Sequence, residues 1–347
     1  MSPAGGVRGA SPVGASGRWG IDDVFSNRVF APIVATGGTI VDVTIDGTLY
    51  RTHLFTSVGA STFSVQDNGA LKNELEYLVV GGGGSGGTGR IHPDGDRRAG
   101  GGGGAGGFVE GQISASKGDW SVSVGSGGIL QNLGRSAGYR GNSSYILKPN
   151  ESLATFPLLS SQIFAYGGGA GGGGGDSGSN FVDGPFEIEP NVFVGGGSGG
   201  GAGSGRERAG SSPVPNQGEK GGSATANRTN GAAGGGGANQ AGPNTSTTAN
   251  NVGTKGGDGR ISSITGTNVF YSGGGGGGGI SIRGNGGLGG GGAGGQGTQS
   301  GFNGFANTGG GGGGESGGHG TRDVFGRVSG AGGSGIVIIR YPLEPLV

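Results

Sequence analysis

Glu76-Tyr77-Leu78-Val79-Val80-Gly81-Gly82-Gly83-Gly84 decides how this chain folds, because a β-type apolar segment ends there directly in uninterrupted glycine. The junction recurs where Phe164-Ala165-Tyr166 enters Gly167 and where Asn191-Val192-Phe193-Val194 enters Gly195. A flexible linker has no need of a strand to feed it, whereas a glycine run that must begin at a fixed place and in a fixed direction does. The glycines are therefore expected to form a packed structural element, and function is expected in the loops between them.

Composition sets this expectation against disorder. Gly 100 and Pro 13 in 347 residues make up about a third of the chain, and unperiodic glycine and proline at that level ordinarily signals a disordered chain. The remainder argues otherwise: Val, Ile, Phe, Thr and Tyr are grouped in short runs of strand character, and the glycine runs lack the serine repetition of flexible linkers. Collagen is excluded as well, since the glycines do not fall strictly at every third position.

Polyglycine can adopt an extended helix of three residues per turn with no projecting side chain, so neighbouring helices approach closely and bond laterally on every face. Ordering costs about 1 to 2 kcal/mol per residue. Each lateral N–H to C=O bond returns roughly 1 kcal/mol, and each Cα–H to O contact about 0.5 to 1. A single run cannot stand alone, but a bundle can. About ten runs qualify, among them 81–87, 100–107, 167–175, 195–205, 234–237, 273–279, 286–295 and 309–314. A nine-residue run spans about 28 Å, so the bundle is expected to be a thin, rigid slab with loops at both ends.

Strands frame the slab. Thr39 to Ile45 alternates, Asp46-Gly47 supplies a two-residue hairpin turn, and Leu49 to Phe55 returns. Further strands are expected at Ala60 to Gln66, Glu76 to Val80, Phe108 to Ser114, Trp120 to Val124, Ser144 to Leu147 and the very apolar Ile336-Val337-Ile338-Ile339. The expected fold is mainly β: a small β-sandwich carrying an inserted bundle of about ten polyglycine II helices, with one short N-terminal helix. Residues 37–347 form this composite module, with the bundle within 81–335 and the closing strand at 336–341. Residues 1–36 are a separate attachment segment.

Tyr50-Arg51-Thr52-His53-Leu54-Phe55, Gly59, Phe63, Val65, the Glu76-to-glycine junction and Gly333-Ser334-Gly335-Ile336-Val337-Ile338-Ile339-Arg340-Tyr341 together resemble the glycine-rich module of bacteriophage virion and tail-fibre proteins. Gly103-Gly104-Ala105-Gly106-Gly107-Phe108 and Gly141-Asn142-Ser143-Ser144-Tyr145-Ile146 agree with it. A similar order of strands and glycine runs occurs in the extracellular glycine-rich region of the anaplastic lymphoma kinase family. The resemblance covers about residues 37 to 342 and implies a β-sandwich with polyglycine helices, whose loops bind host surfaces in tail-tip adhesins of related build. Unlike the animal kinase region, this chain has no Cys, which favours a phage or bacterial source.

Ile21, Val24, Phe25 and Val29 fall at helical spacing behind Trp19, with Asp22 and Asp23 in the first turn and Pro32 beyond the end. This reads as an amphipathic attachment helix that docks on another virion protein or forms an oligomer axis. The alternative is that it caps the sandwich. Lys plus Arg and Asp plus Glu are 22 each, so no basic field for nucleic acid exists. No apolar stretch is long enough for membrane insertion, and the N-terminus lacks the pattern of a signal peptide. The expected location is the virion surface, reached by host lysis.

No catalytic constellation stands out. The spacing G-x-G-x-x-G arises here by composition alone, and no phosphate-binding G-x-x-x-x-G-K-[ST] occurs. His53, His92 and His319 are far apart, with no metal-ligand pairing, and His53, within a strand, suits a packed or hydrogen-bonded role. No enzymatic activity, cofactor or metal is expected.

The polar and aromatic segments between glycine runs remain, and a rigid scaffold carries recognition on such loops. Aromatic residues with Arg are the usual anchors of binding patches, which selects His92, Arg97, Phe302, Phe305, Arg322 and Phe325 as the receptor-binding set. The expected function is a phage tail-fibre or adhesin subunit that binds a bacterial surface glycan or outer-membrane protein, contacts other virion proteins, and forms a homo-oligomer such as a trimer. The alternative is a purely structural virion or filament component: a head fibre, decoration protein or extracellular fibre subunit. An ice-binding bundle would need a flat threonine face, which the irregular loops do not offer. Deleting Trp19 to Val29 is expected to leave the thermal melting of the remaining module unchanged while abolishing oligomerisation or particle incorporation, as scored by light scattering and by the protein content of purified particles.

Overall fold

Asp46 and Gly47 both adopt positive φ, at 48° and 84°, the combination that a two-residue hairpin turn matched to strand twist requires. This turn opens the computed structural model, which describes residues 31–70, 73–91, 97–132, 136–152, 162–175, 186–189, 192–194, 196–205, 213–224, 231–246, 251–317 and 327–344. The expected N-terminal helix lies outside these residues. In chain order the strands are β1 (Val34–Thr36), β2 (Thr39–Ile45), β3 (Thr48–Phe55), β4 (Gly59–Asp67), β5 (Glu74–Val80), β6 (Arg90–Ile91), β7 (Arg97–Arg98), β8 (Phe108–Ser114), β9 (Gly118–Val124), β10 (Ser144–Leu147), β11 (Ile163–Ala165), β12 (Phe186–Glu189), β13 (Val192–Val194), β14 (Arg260–Ser262), β15 (Val269–Tyr271) and β16 (Ile336–Pro342). There is no α-helix among the described residues.

Two five-stranded sheets, ordered β1-β4-β9-β10-β11 and β2-β3-β16-β5-β8, form the sandwich. The closing strand β16 sits inside its sheet, antiparallel to both β3 and β5. Its unbroken apolar sequence follows from burial on both faces. Val337, Ile339 and Tyr341 meet Phe55, Phe63, Trp120 and Val122 between the sheets. Ile336 and Ile338 join Leu78, Val80 and Phe108 beneath Ile264 and Tyr271 of the β14–β15 hairpin. The sandwich also begins earlier than residue 37: β1 pairs with β4, and Ile33 and Ala35 are core residues. Gly37 and Gly38, both at positive φ, carry the chain from one sheet to the other, so Ile33 and Ala35 just before them still pack in the core.

His53 is fully buried between the sheets. Its Nδ1–H donates to the Gly37 carbonyl at 2.7 Å, and the Tyr341 hydroxyl donates to Nε2 at 3.1 Å. It thereby ties the sheet crossover to both a central strand and the closing strand, the packed and hydrogen-bonded role expected of it. Burial pushes its pKa below the ordinary 6.5, against the opposing effect of the Gly37 carbonyl.

Between the strands, the glycine runs bond side by side with a period of three. Gly81, Gly84 and Gly87 donate to Gly107, Gly104 and Gly101; Gly82, Ser85 and Thr88 donate to Asn142, Tyr139 and Ser136; Gly83 and Gly86 donate to Gly333 and Gly330. Carbonyls of the same run accept from Gly168, Gly171 and Gly174, from Gly312 and Glu315, and from Gly128. Run 81–88 is thus enclosed on all sides. Runs 100–107, 272–279 and 309–316 are enclosed in the same way.

The bonds arrange the runs in four rows. Runs 136–142, 166–174, 196–204 and 214–224 form the first, and 125–131, 81–88, 100–107 and 231–238 the second. Runs 328–335, 309–316, 272–279 and 252–259 form the third, and 299–305, 290–296 and 282–288 an outer fourth. The stretch 286–295, expected as one run, is two: it turns at Gly289 and Gly290, whose φ values are 98° and 91°. Ser85 and Ser198 within these runs are fully buried. Ser85 Oγ accepts the Tyr139 amide at 2.7 Å, so at this position a serine is admitted in place of glycine with its hydroxyl serving as a lateral partner.

Two outcomes follow for stability. A Cβ on Gly276 would coincide with the Gly284 carbonyl, and one on Gly311 with that of Gly103. Gly276→Val and Gly311→Val should each destabilise by roughly 3 kcal/mol or more, from overpacking plus broken lateral bonds, whereas Asn285→Val on an exposed outer position should stay within about 0.5 kcal/mol; chemical denaturation measures both. For His53, the unfolded chain takes up a proton near the ordinary pKa and the folded chain only below it. Stability is therefore full above about pH 7 and falls as pH drops through about 6.5. His53→Gln should be less stable at pH 8 yet lose the His53 part of that slope.

Candidate recognition surface

Each run that leaves a strand directs the chain away from the sandwich, and each run that enters one returns it: Val80 leads out through Gly81, and Gly107 leads back into Phe108. The bundle consequently has an end near the sandwich, a remote end and flanks. Its fourth row, 299–305, 290–296 and 282–288, forms one flank.

The flank is built by a three-residue code. In Gly301-Phe302-Asn303-Gly304-Phe305-Ala306, a Cβ on Gly301 would strike the Gly313 carbonyl and one on Gly304 the Gly310 carbonyl, so these glycines face the bundle. Phe302 and Phe305, three residues apart, share an outward face and are 48% and 68% exposed. Backbone bonds hold them rigidly: Phe302 N–H donates to Ala293 at 2.9 Å, Phe305 N–H to Gly290 at 2.8 Å, and the Phe302 carbonyl accepts from Gly313 at 2.9 Å. Across the row, Gly284 and Gly287 face inward while Ile282, Asn285 and Leu288 are exposed at the same period. Arg283 reaches over from this run, its guanidinium 4.9 Å from the centre of the Phe302 ring, within cation–π distance. The intervening run 290–296 contributes mainly glycine with Ala293 and Gln296, leaving a low floor between raised side chains.

Asp258 supports this edge from the neighbouring run. It accepts the Leu288 amide at 2.8 Å and pairs with Lys255 at 2.7 Å. Partial burial raises its pKa, but Lys255 and the Leu288 amide outweigh that and hold the carboxyl below the ordinary 3.8. Asp258 therefore stays ionised and pinned at neutral pH.

Of the residues expected to bind a receptor, the structure brings Phe302 and Phe305 together. Arg97, in β7, belongs to the remote end instead. That end is tied by buried charges: Glu315 accepts the Gly89 amide at 3.0 Å and faces Arg327 Nε at 3.6 Å, and Arg98 donates to the Gly205 carbonyl at 3.0 Å. His92, Arg322 and Phe325 lie outside the described residues, as do the attachment residues Trp19, Ile21, Val24, Phe25 and Val29. Ile282, Arg283 and Leu288, outside the set expected from the sequence, complete the flank. Their signal was the local spacing of Gly284 and Gly287, which marks an outer run whose remaining positions point away from the bundle.

A family model for the glycine-rich domain matches residues 56–342, most of the chain. The chain belongs to the glycine-rich domain family. Within this glycine-rich domain the match begins at β4 and ends at the close of β16, so it spans the whole bundle and the strand that closes the sandwich. Comparison with curated proteins gives no match. Among the described residues there is no group of three or more His, Cys, Asp or Glu able to hold a metal ion, and no helix long and apolar enough to cross a membrane.

Proposed function

We propose that this glycine-rich domain is a host-recognition component of a phage particle, a tail-fibre or adhesin subunit that binds a bacterial cell-surface receptor without chemistry. The observation that carries this is the pair of exposed aromatic rings on a rigid flank, Phe302 beneath Arg283 and Phe305 beside it. Exposed large apolar groups held on a stiff scaffold favour binding, because little side-chain or loop entropy is lost on contact. The glycine runs, in this proposal, are polyglycine II helices; their period-three lateral bonds and enclosure by neighbouring runs are what that helix would produce. The segment with Trp19, Ile21, Val24, Phe25 and Val29 attaches the domain to other virion proteins or to further copies of itself, placing the bundle on the particle surface. The resemblance of residues 37–342 to phage virion modules supports the same assignment.

A second proposal, a purely structural virion or filament subunit, is favoured by one feature. The edge strand β2 is exposed along most of its length, with Ile40 45% and Val41 49% exposed on opposite faces, and such an edge can pair with another chain. The two proposals separate in one experiment. Labelled full-length protein is titrated onto a panel of bacterial strains, alongside a Phe302→Ala/Phe305→Ala double variant of equal melting temperature. Saturable binding to a subset of strains, lost in the double variant, is the expected outcome. Absence of binding to every strain, with assembly into fibres or particles that a charge introduced at Val41 prevents, would replace recognition by the structural role.

A further inference from the structure

We infer that the ligand of the Phe302/Phe305 flank is an extended polysaccharide of pyranose sugars, lying along the fourth row of runs. This rests on the recognition proposal above and names the class of receptor. The first support is spacing. Residues three apart on a three-residue helix repeat at about 9 Å, so Phe302 and Phe305 present two rings on one face at roughly the repeat of a disaccharide in an extended glycan. Aromatic rings stack on the apolar faces of alternate sugars, which no compact ligand can exploit at both positions.

The second support is the floor. Interior runs use their lateral donors and acceptors, but the outer row has neighbours on one side only. Among the described residues, the partly exposed Ala293, Gly286 and Gly291 carry backbone groups without a protein partner: the amides of Ala293 and Gly286 and the carbonyl of Gly291. They leave two donors and an acceptor open on a short ledge along the row. A sugar hydroxyl both donates and accepts, so a row of hydroxyls is complementary to such a ledge. The floor is formed by glycine and alanine, so at the partly exposed Gly291 and Ala293 no large side chain of the floor itself stands over the backbone.

The third support is what the flank lacks. Arg283 is the charged side chain on this face, and its guanidinium is spread over Phe302 at 4.9 Å. A nucleic acid would call for a basic stripe. A protein partner would call for a desolvated pocket to seat an anchor residue, and the flank is a shallow floor between raised side chains.

The test uses the full-length chain. Mono- to hexasaccharides of β-1,4-linked glucose and N-acetylglucosamine, together with purified bacterial capsular and O-antigen polysaccharides, are titrated by calorimetry and by chemical-shift perturbation. At least one glycan series is expected to bind with affinity that rises until the ligand spans both rings and then levels off. Phe302→Ala and Phe305→Ala should each weaken that binding roughly tenfold without changing the melting temperature, and Phe305→Trp should preserve or strengthen it. Absence of saturable glycan binding, or binding that ignores both Phe substitutions and has no length dependence, overturns the inference. Cells distinguish this failure from failure of recognition itself. Phe-dependent adhesion that survives periodate oxidation of the cells but is abolished by protease would leave a surface receptor and exclude a glycan, whereas no adhesion to any strain would remove the recognition proposal as well.

Discussion

Lateral hydrogen bonding between backbones, possible only where no Cβ intervenes, is the constraint on which the rest of this structure depends. At Gly276 and Gly311 the space a methyl group would need is already held by a carbonyl of the next run. Glycine is therefore needed there for close approach, independently of any special φ. The enclosed runs 81–88, 100–107, 272–279 and 309–316 are cemented by bonds in every lateral direction. A fold with a small aliphatic content can then stay rigid, because the bundle interior is held by peptide groups and the side-chain core is confined to the sandwich.

The sandwich and the bundle depend on each other. Strands set where each run begins and which way it points, and Ser144 joins the two at atomic level: its hydroxyl donates to the Val80 carbonyl at 2.7 Å and accepts the Gly125 amide at 2.9 Å. The β14–β15 hairpin does the same from the far side, closing Ile264 and Tyr271 over the outer face of β5, β8 and β16. Without that cover the apolar residues Leu78, Val80 and Ile338 would face solvent. The second, smaller core thus exists because the chain returns from the bundle midway to supply it.

Side-chain variety enters where the constraint relaxes. An interior position admits only glycine or an occasional small residue, while the outer run 299–305 needs glycine only at Gly301 and Gly304, one position in three, and the edge run 282–288 also leaves positions for larger side chains. Phe302, Phe305, Ile282 and Leu288 occupy those free positions. The flank can vary in chemistry with no cost to the interior, and the side chains it displays are held as stiffly as those on a sheet.

Much of the sandwich was legible in the sequence. The Asp46-Gly47 turn, the alternation through Thr39 to Ile45, the two-faced apolar run Ile336 to Ile339 and the strand-to-glycine junctions each rest on local chemistry that neighbours in sequence settle, and β2, β3, β5 and β16 follow from them. Phe302 and Phe305 were legible as aromatics between glycine runs, and the structure leaves both exposed. Tertiary structure decided the partners. Whether a glycine run lies inside or at the edge depends on which other runs surround it, information spread over the whole chain; so 299–305 and 282–288 became a flank, Arg283 came to rest on Phe302, and Arg97 went to the remote end. Identical glycines carry no side-chain code for choosing neighbours, and only the strands, turns and closing sheet that bracket them could assign each run its place.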